Sequence, residues 1–215
     1  MVMIAAAGLP KLVSPRGSVM TFLDLSAVNS QMLVPENQPH WRWVFLVFKR
    51  AFDITVAILL LPLVIVFAAL FLLLNPVLNA GPIFFVQTRM GRDCKPFRAF
   101  KFRSMRESMD AERAYHEAIE TDRVTRFGAF MRKTRIDELP QILNVLRGDM
   151  SLIGPRPDAY AHAIVYLREI PEYCARHQVR PGISGFAQVE LGYAIGLDAT
   201  RAKALADLHY TKMPV

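Results

Sequence analysis

The sequence predicts an α/β fold, mostly helical with short strands, in which a compact domain is attached to a membrane by a re-entrant helical hairpin. Three observations lead to this prediction. Residues 54–74 form an apolar run of 21 positions without a charge. Apolar residues recur at helical spacing in 134–147 and again in 158–172. Residues 82–87 and 97–103 are predicted short strands, the second with the alternation of aromatic and basic residues that is typical of strands.

Composition sets the class of protein. The chain has 215 residues, a net charge of +7 from 26 Lys and Arg against 19 Asp and Glu, and 53% hydrophobic residues. This length accommodates one domain with an appendage, and the hydrophobic content excludes a disordered chain. Cys94 and Cys174 exclude a disulfide scaffold and form no CxxC pair, and the five histidines show no metal-ligand spacing such as HExxH.

The first 40 residues contain closely spaced Pro and Gly and show no periodic pattern. We therefore expect a mobile tail, with a short interfacial segment at 20–28. No cleaved secretory signal is expected, because the opening apolar run is short and lacks basic residues before it.

The apolar run is the predicted membrane anchor. As one straight helix, 54–74 would rise about 31 Å, which is enough to cross the hydrocarbon core of a bilayer. Pro62 interrupts the run, however, and basic residues lie on both sides of it. Positive charge favours the cytoplasmic side at both ends, which a single span cannot satisfy and a hairpin can. We predict a re-entrant anchor over 41–80, with a span or a buried core helix as alternatives.

A basic segment follows the anchor. Between Arg89 and Arg106, seven basic residues stand against one acidic residue, so this window carries +6 of the excess charge. Such a segment beside a hydrophobic anchor predicts contact with anionic lipid headgroups or phosphorylated ligands. We expect residues 89–95 to connect the two strands. Downstream we expect an exposed helix at 110–120 and a loop-rich region with short strands over 182–196.

The pair Asp137-Glu138 is the main candidate for chemistry. It follows the basic stretch 132–135, and Pro140 predicts that a helix begins nearby. Thr134 and Asp137 have the spacing of a capping box. A helix N-terminus favours ionised carboxylates and can bind phosphate, so one carboxylate could attack while the other holds a metal or moves a proton. Helix capping with surface ion pairs is the alternative on spacing alone.

Two further motifs predict phosphate contacts. Arg156 lies between Pro155 and Pro157, which stiffen its backbone and hold the guanidinium for a bidentate contact. Gly182 and Gly185 allow close backbone approach to a ligand, without the spacing of a GxGxxG or Walker loop. Ordinary turns, with a solvated arginine in the first, are the alternative for both motifs.

Several segments occur in the order and spacing of a known family between about Phe48 and Tyr210. They are KRAFD at 49–53, the strand segment 81–87, FRAFKFRSM at 97–105, DELPQ at 137–141, NVLRGDMS at 144–151, GPRP at 154–157 and RPGISG at 180–185. On these segments the chain resembles the bacterial sugar transferases, the monotopic phosphoglycosyl transferases that begin polysaccharide assembly on a polyprenyl phosphate.

The resemblance implies a two-step covalent reaction. Asp137 would attack the sugar-bearing phosphate of a UDP-hexose and release UMP, and undecaprenyl phosphate would then take the hexose 1-phosphate from the carboxylate. Glu138 would assist, and both carboxylates would hold Mg²⁺. Contacts to the substrate phosphates would come from seven residues: Arg89, Lys101, Arg103, Arg156, Arg180, Gly182 and Gly185.

The same resemblance implies the partners and the location. The expected partners are the UDP-sugar, undecaprenyl phosphate, the lipid bilayer and a second copy of the chain in a homodimer, whereas nucleic acid is not expected. The expected location is the cytoplasmic face of the bacterial inner membrane, at the first step of exopolysaccharide assembly. A catalytic domain over 81–215 would follow the tail at 1–40 and the anchor at 41–80.

Three positions depart from the family pattern. Leu61 stands where a serine usually precedes the proline, Cys94 stands where glycine is frequent, and the chain stops at Val215, where family members usually continue with another helix. A positive φ at Cys94 would strain or reshape its loop. The short C-terminus leaves open a non-catalytic membrane scaffold of the same fold. The basic surface leaves open a peripheral protein that binds anionic lipid.

Overall fold

The computed structural model describes residues 40–79, 81–106, 121–192 and 196–212. The predicted tail, except for its last residue, and the predicted helix at 110–120 lie outside the described residues. Within them the chain is mostly helical with a few short strands, which confirms the predicted α/β class.

The helices and strands alternate irregularly along the described residues. The helices are α1 (His40–Leu78), α2 (Arg126–Thr134), α3 (Gln141–Arg147), α4 (Tyr160–Glu169), α5 (Phe186–Leu191) and α6 (Leu197–Lys212). The strands are β1 (Phe84–Met90), β2 (Pro96–Phe102), β3 (Ser151–Ile153) and β4 (Gly182–Ser184). Short 3₁₀ helices cover Arg92–Cys94, Thr121–Arg123, Ile136–Glu138 and Pro171–Gln178.

The strands form two small sheets. β1 and β2 are antiparallel, with Phe84 opposite Phe102, so the two strands predicted on either side of the basic loop are confirmed. β3 and β4 are parallel, with Ser151 opposite Gly182. In the tight connection of the first sheet, Cys94 has a φ of +55°. This is the left-handed region that glycine adopts without strain, and it is the conformation that the sequence raised for this position.

The helix predicted over 134–147 is wrong in its first half. Thr134 is the last residue of α2, and its hydroxyl donates back to the carbonyl oxygen of Phe130 at 2.9 Å, so it forms no capping box. Arg135 then turns the chain with a φ of +60°. A 3₁₀ turn follows, and α3 begins only after Pro140. The apolar residues keep helical spacing across this break, and periodicity alone therefore does not reveal it.

The later helices also differ from the prediction. α4 is shorter than the predicted helix at 158–172, because Pro171 begins a separate 3₁₀ helix. α6 covers 16 residues in a part of the chain where no helix was predicted. Helices were predicted from the amphipathic spacing of apolar residues. The sequence of α6 mixes polar and apolar residues with little such spacing, so this helix was not predicted.

The anchor is one helix instead of two. α1 runs without interruption from His40 to Leu78, through Pro62, so the structure does not show the predicted reversal at this residue. A proline inside a helix removes one backbone hydrogen bond and bends the axis, but it does not have to end the helix. By length and composition, Trp43–Asn75 is long and apolar enough to cross a membrane.

α1 buries one face against the domain along most of its length. Asp53, Ala57, Val64, Phe71 and Asn75 are all less than a tenth exposed, and their spacing of four and seven places them on one side of the helix. The other side is apolar and exposed, with these residues among those more than half exposed: Ile58, Leu59, Ile65, Val66, Leu72, Leu73 and Val77. α1 is therefore a core helix on one face and a lipid-compatible helix on the other.

The buried face of α1 contributes to two core clusters. Ala57 and Val64 pack with Ile142, Val145 and Met150, which come from α3 and the turn after it. Further along the helix, the second cluster combines three residues from α1, β2 and α2: Phe71, Phe102 and Met131. The domain thus builds its hydrophobic core directly on the anchor.

Polar contacts hold both halves of α1 to the same domain. Towards its beginning, the Asp53 carboxylate accepts hydrogen bonds from the Ser151 hydroxyl at 2.8 Å and from the Leu152 amide at 3.2 Å. Beyond its end, the Asn79 side-chain amide donates to the Arg103 carbonyl oxygen at 2.8 Å. A displacement of either end of the helix away from the domain would break buried hydrogen bonds.

We predict that Asp53→Ala destabilises the protein. Lys49 also contacts this carboxylate, at 3.2 Å, so its loss removes the charge partner of the lysine and one of the two acceptors of the Ser151 hydroxyl, which also donates to the Ile153 carbonyl oxygen. The expected loss is about 2–4 kcal/mol of unfolding free energy. Denaturant unfolding in detergent measures it, with Ser151→Ala as a milder control. An Asp53→Ala variant as stable as the parent would show that this contact does not hold α1.

Candidate active site

Glu138 lies between two cations. Its carboxylate accepts a hydrogen bond from Lys101 Nζ at 2.8 Å, and from Arg156 through both terminal nitrogens, one of them at 3.0 Å. Burial opposes ionisation of Glu138, but the hydrogen bonds and charges of Arg156 and Lys101 outweigh it and hold the pKa of this carboxyl well below its usual range. The two cations therefore favour the ionised form of Glu138 and fix the position of its carboxylate.

Three separate segments bring these side chains together. Lys101 comes from β2, Glu138 from the 3₁₀ turn before α3, and Arg156 from the loop after β3. The left-handed Arg135 ends α2 and starts the turn that carries Glu138 into the interior. Burial is the largest influence on Lys101 and lowers its pKa to about 8, a shift that the nearby Arg89 and Arg156 increase and that Glu138 partly offsets.

A second layer of charge fixes the Arg156 loop. Arg176 is fully buried and donates to the Arg156 carbonyl oxygen at 2.8 Å. It also pairs with Asp158 at 2.5 Å and with Asp207, on α6, at 2.6 Å. Lys203 completes the cluster at 2.9 Å from Asp158. None of these four residues was singled out from the sequence, because charges scattered over 50 positions give no local motif.

Asp137 differs from its neighbour. It is buried, and its Oδ1 has no hydrogen-bond partner among the described residues. Burial raises its pKa, an effect that the charges of Lys101, Arg132 and Arg135 reduce without cancelling. Two adjacent carboxylates thus have pKa values shifted in opposite directions, which is the usual sign that they do different work.

A cavity of about 560 Å³ lies beside this pair. Leu60, Leu63 and Phe67 of α1 form one apolar wall, and Glu138 lies on the lining. Leu63 is also 42% exposed, so the wall continues into the lipid-compatible face of α1. The polar part of the lining comes from Thr134, Arg135, Glu138, Ser184 and Gln188. Asp137 is not a lining residue of this cavity.

The structure separates the predicted arginines. Arg89 donates to the Pro157 carbonyl oxygen at 2.5 Å and therefore lies beside the Arg156 loop. Arg103 instead donates to the Asn79 carbonyl oxygen at the end of α1. Arg180 donates to the Gly148 carbonyl oxygen at 2.9 Å, beyond the far end of α3. Lys101 and Arg156 therefore contact Glu138, while Arg103 and Arg180 contact backbone at other places.

The predicted glycines pack against the protein's own backbone. A Cβ on Gly182 would lie 2.1 Å from the Gly154 nitrogen, and one on Gly185 would lie 2.4 Å from the Gly154 oxygen. The close approach that was predicted for a ligand is thus made to the loop that leads to Arg156. These glycines have a structural role here, because they let β3 and β4 pair and so set the position of that loop.

The carboxylates fit Mg²⁺ unequally. Both oxygens of Glu138 already accept from cations, so Glu138 has less capacity for a metal than Asp137 has. The unpartnered Oδ1 of Asp137 does fit one ligand position. Across the described ranges, no group of three or more His, Cys, Asp or Glu could hold a metal ion. Mg²⁺ commonly binds through one carboxylate together with water and substrate phosphates, so Asp137 alone is compatible with it.

Comparison with known proteins connects this geometry to a family. A family model described as bacterial sugar transferase matches residues 44–214. The chain is 46% identical over 172 residues to a UDP-N-acetylgalactosamine-undecaprenyl-phosphate N-acetylgalactosaminephosphotransferase of Aeromonas hydrophila. These residues cover 79% of this chain and 40% of that protein.

Two other relatives have similar identity. One is the exopolysaccharide production protein PSS of Rhizobium leguminosarum bv. phaseoli, 42% identical over 174 residues, covering 77% of this chain and 86% of that protein. The other is the UDP-glucose:undecaprenyl-phosphate glucose-1-phosphate transferase of Escherichia coli (strain K12). It is 39% identical over 191 residues, which cover 87% of this chain and 41% of that protein. The chain thus spans about two fifths of the Aeromonas and Escherichia proteins.

We predict that Gly182→Ala destabilises the fold in the absence of any ligand. The added Cβ would meet the Gly154 backbone, which cannot move aside as a flexible side chain would. The expected loss is about 3 kcal/mol of unfolding free energy, at the upper end for overpacking. Thermal unfolding without substrate measures it, and Ser184→Ala, an exposed position of the same strand, is the control. An unchanged melting temperature together with weaker substrate binding would instead favour the ligand role.

Proposed function

The chain belongs to the bacterial sugar transferase family, and from this premise we propose that it transfers a hexose 1-phosphate from a UDP-sugar to undecaprenyl phosphate. The names of the relatives specify this pair of substrates. The observation that carries the proposal is the carboxylate pair: Glu138 clamped by Lys101 and Arg156, beside a buried Asp137 with an unpartnered oxygen. This arrangement presents a nucleophile next to two phosphate-binding cations.

The proposed reaction consists of two displacements at the same phosphorus. An Asp137 oxygen attacks the sugar-bearing phosphorus of the donor, the bond from that phosphorus to the bridging oxygen breaks, and UMP leaves with the electron pair. A phosphate oxygen of undecaprenyl phosphate then attacks the phosphorus of the aspartyl intermediate, and the bond to Asp137 breaks. The carboxylate is restored, and the product is a polyprenyl diphosphate sugar. Its raised pKa makes Asp137 a better nucleophile once ionised.

Lys101 and Arg156 supply the positive charge for both displacements. Glu138 holds their nitrogens in place before substrate arrives, so little reorganisation is required when the phosphate binds. Arg176 holds the backbone of Arg156 from behind. When bound, Mg²⁺ would offset the charge of the diphosphate, with Asp137 as the protein group that fits it.

The cavity beside Glu138 provides a place for the acceptor. Its apolar wall on α1 suits the first isoprene units of a polyprenyl chain, and its polar end, where Arg135 lies on the lining, suits the phosphate. The rest of the chain would remain in the bilayer against the exposed face of α1.

We propose a monotopic position at the cytoplasmic face, and the packing of α1 supports the monotopic part of this proposal. Both halves of this helix are bonded to the same polar domain, through Asp53 near one end and Asn79 beyond the other. A helix crossing the bilayer would pull that domain into the hydrocarbon region, where its polar backbone would lose water. We therefore propose that α1 lies within one leaflet, so that it enters and leaves on the same side, as the predicted hairpin would.

An enzyme is a better account of the chain than the scaffold or the peripheral lipid binder that the sequence leaves open. Relatives that the chain matches carry the names of transferases. Neither alternative explains why a carboxylate with an unpartnered oxygen lies beside two fixed cations.

We predict that Asp137→Asn lowers UMP release by at least about 10³-fold and abolishes a trapped phosphosugar adduct, because an amide cannot act as the nucleophile. Release is measured with a UDP-sugar panel and undecaprenyl phosphate, and the adduct by intact mass after incubation with donor alone. Asp198→Asn, an exposed carboxylate on α6, is the matched control. Full turnover by Asp137→Asn would remove this residue from the nucleophile role.

We predict a bell-shaped pH dependence for UMP release from donor. Activity rises as Asp137 ionises, at a pH above its ordinary pKa of 3.8, because only the carboxylate attacks. It falls again as Lys101 loses its proton with a pKa of about 8, since a neutral amine no longer attracts the phosphate. Lys101→Arg should move the falling limb to higher pH, because arginine stays charged. The same falling limb in this variant would assign it to another group.

A further inference from the structure

We propose that Arg50 and Arg180 form a second phosphate-binding site, at the end of α3 opposite to the carboxylate pair. Arg50, on α1, donates from Nη2 to the Leu146 carbonyl oxygen at 3.4 Å. Arg180, before β4, donates from Nε to the Gly148 carbonyl oxygen at 2.9 Å. The two accepting carbonyls lie two residues apart, so the two guanidiniums converge on the same turn of backbone.

The turn at Gly148 brings the Arg50 guanidinium close to the backbone. Gly148 ends α3 with a φ of +93°, and a Cβ at this position would lie 3.6 Å from Nη2 of Arg50. The pKa of Arg180 is lowered, first by burial and then by the positive charges of Arg50 and Arg92. The guanidiniums of Arg50 and Arg180 therefore repel one another. An anion between them would relieve this repulsion.

Within the described part of the chain, neither arginine has a carboxylate partner. No ion pair joins Arg50 or Arg180 to an acidic group there, and Arg50 Nη1 is a buried nitrogen without a hydrogen-bond acceptor. Asp53, the acidic group that acts on Arg180, already accepts from Lys49, from Ser151 and from a backbone amide. A buried donor without an acceptor is costly, so a ligand that supplies one is favoured.

Capping of α3 explains only part of this arrangement. Cations at the end of a helix satisfy its last carbonyl groups, and the bonds to Leu146 and Gly148 do this. They leave Nη1 of Arg50 unused. The seven residues of α3 rise about 10 Å, so one phosphate cannot contact both this pair and Glu138. The two sites are therefore distinct.

The ligand is a phosphate group, either on a lipid or free in solution. The lipid source rests on the membrane position given under the proposed function. Trp43, Phe48 and Phe52 are all more than half exposed on the same part of α1 as Arg50. Exposed aromatic residues beside an arginine mark the headgroup level of a bilayer, where anionic lipids concentrate phosphate. A lipid headgroup is therefore the expected source.

Vesicle binding by the full chain separates the two sources. Arg50→Gln and Arg180→Gln should each lower partitioning onto phosphatidylcholine vesicles that contain phosphatidylglycerol by about fivefold, with no change on phosphatidylcholine alone. The control is Arg98→Gln, an exposed position on β2 that removes the same charge and should change partitioning by less than about twofold. In a parallel arm, inorganic phosphate should raise the melting temperature of the parent and not of either variant if the site takes free phosphate.

A response in either arm that both variants lose supports the site and identifies its source. The proposed site would be overturned if Arg50→Gln and Arg180→Gln both behaved as Arg98→Gln does, in vesicle partitioning and in the response of the melting temperature to phosphate. Arg180→Gln decides alone if Arg50→Gln does not fold, because only Arg50 lies on the anchor helix. None of these measurements includes a UDP-sugar, so a negative result here leaves the proposed transfer reaction standing, and the reverse also holds.

Discussion

The ion pairs of Glu138 with Lys101 and Arg156 are the interaction on which the rest of the site depends. A buried carboxylate is tolerated only where cations and hydrogen bonds replace its water, and removing one partner of a buried pair typically costs about 3–5 kcal/mol. The three partners come from a strand, a 3₁₀ turn and a loop. The β1–β2 hairpin, the turn at Arg135 and the β3–β4 pairing must therefore all form before the site exists.

The Arg156 loop shows how this constraint extends outward. Arg176 holds its carbonyl oxygen, Asp158 and Asp207 hold Arg176, and Asp207 belongs to α6. Gly182 and Gly185 set the same loop from the other side by their contact with Gly154. The last helix of the described chain is thus connected to Glu138 through two buried charged contacts and one backbone bond. The anchor helix α1 is also required for folding, since it supplies part of both core clusters.

The sequence reveals the parts that local patterns encode. Alternation predicts β2, the uncharged run predicts the anchor, and the carboxylate pair stands out within a basic stretch. It does not reveal the break at Arg135, because apolar spacing continues across it, or the direction of a side chain within a motif. Arg103 and Arg180 belong to motifs of the family, yet both bind backbone away from Glu138. The partners of Arg176 were missed because they meet only in three dimensions.

The pKa values of Asp137 and Glu138 are shifted in opposite directions, and the proposed reaction assigns the two carboxylates different roles. If Glu138 were itself the nucleophile, it would have to release Lys101 and Arg156 in order to attack. The phosphate would then lose these cations at the step in which its negative charge requires them. In the proposed reaction, Glu138 would keep Lys101 and Arg156 in position throughout, while a carboxylate oxygen of Asp137 would form and break the bond to phosphorus. Because the phosphorus stays beside the same cations in both displacements, one clamp can serve a soluble donor and a membrane-bound acceptor in turn. The proposed covalent intermediate would allow UMP to leave before the acceptor must be in place.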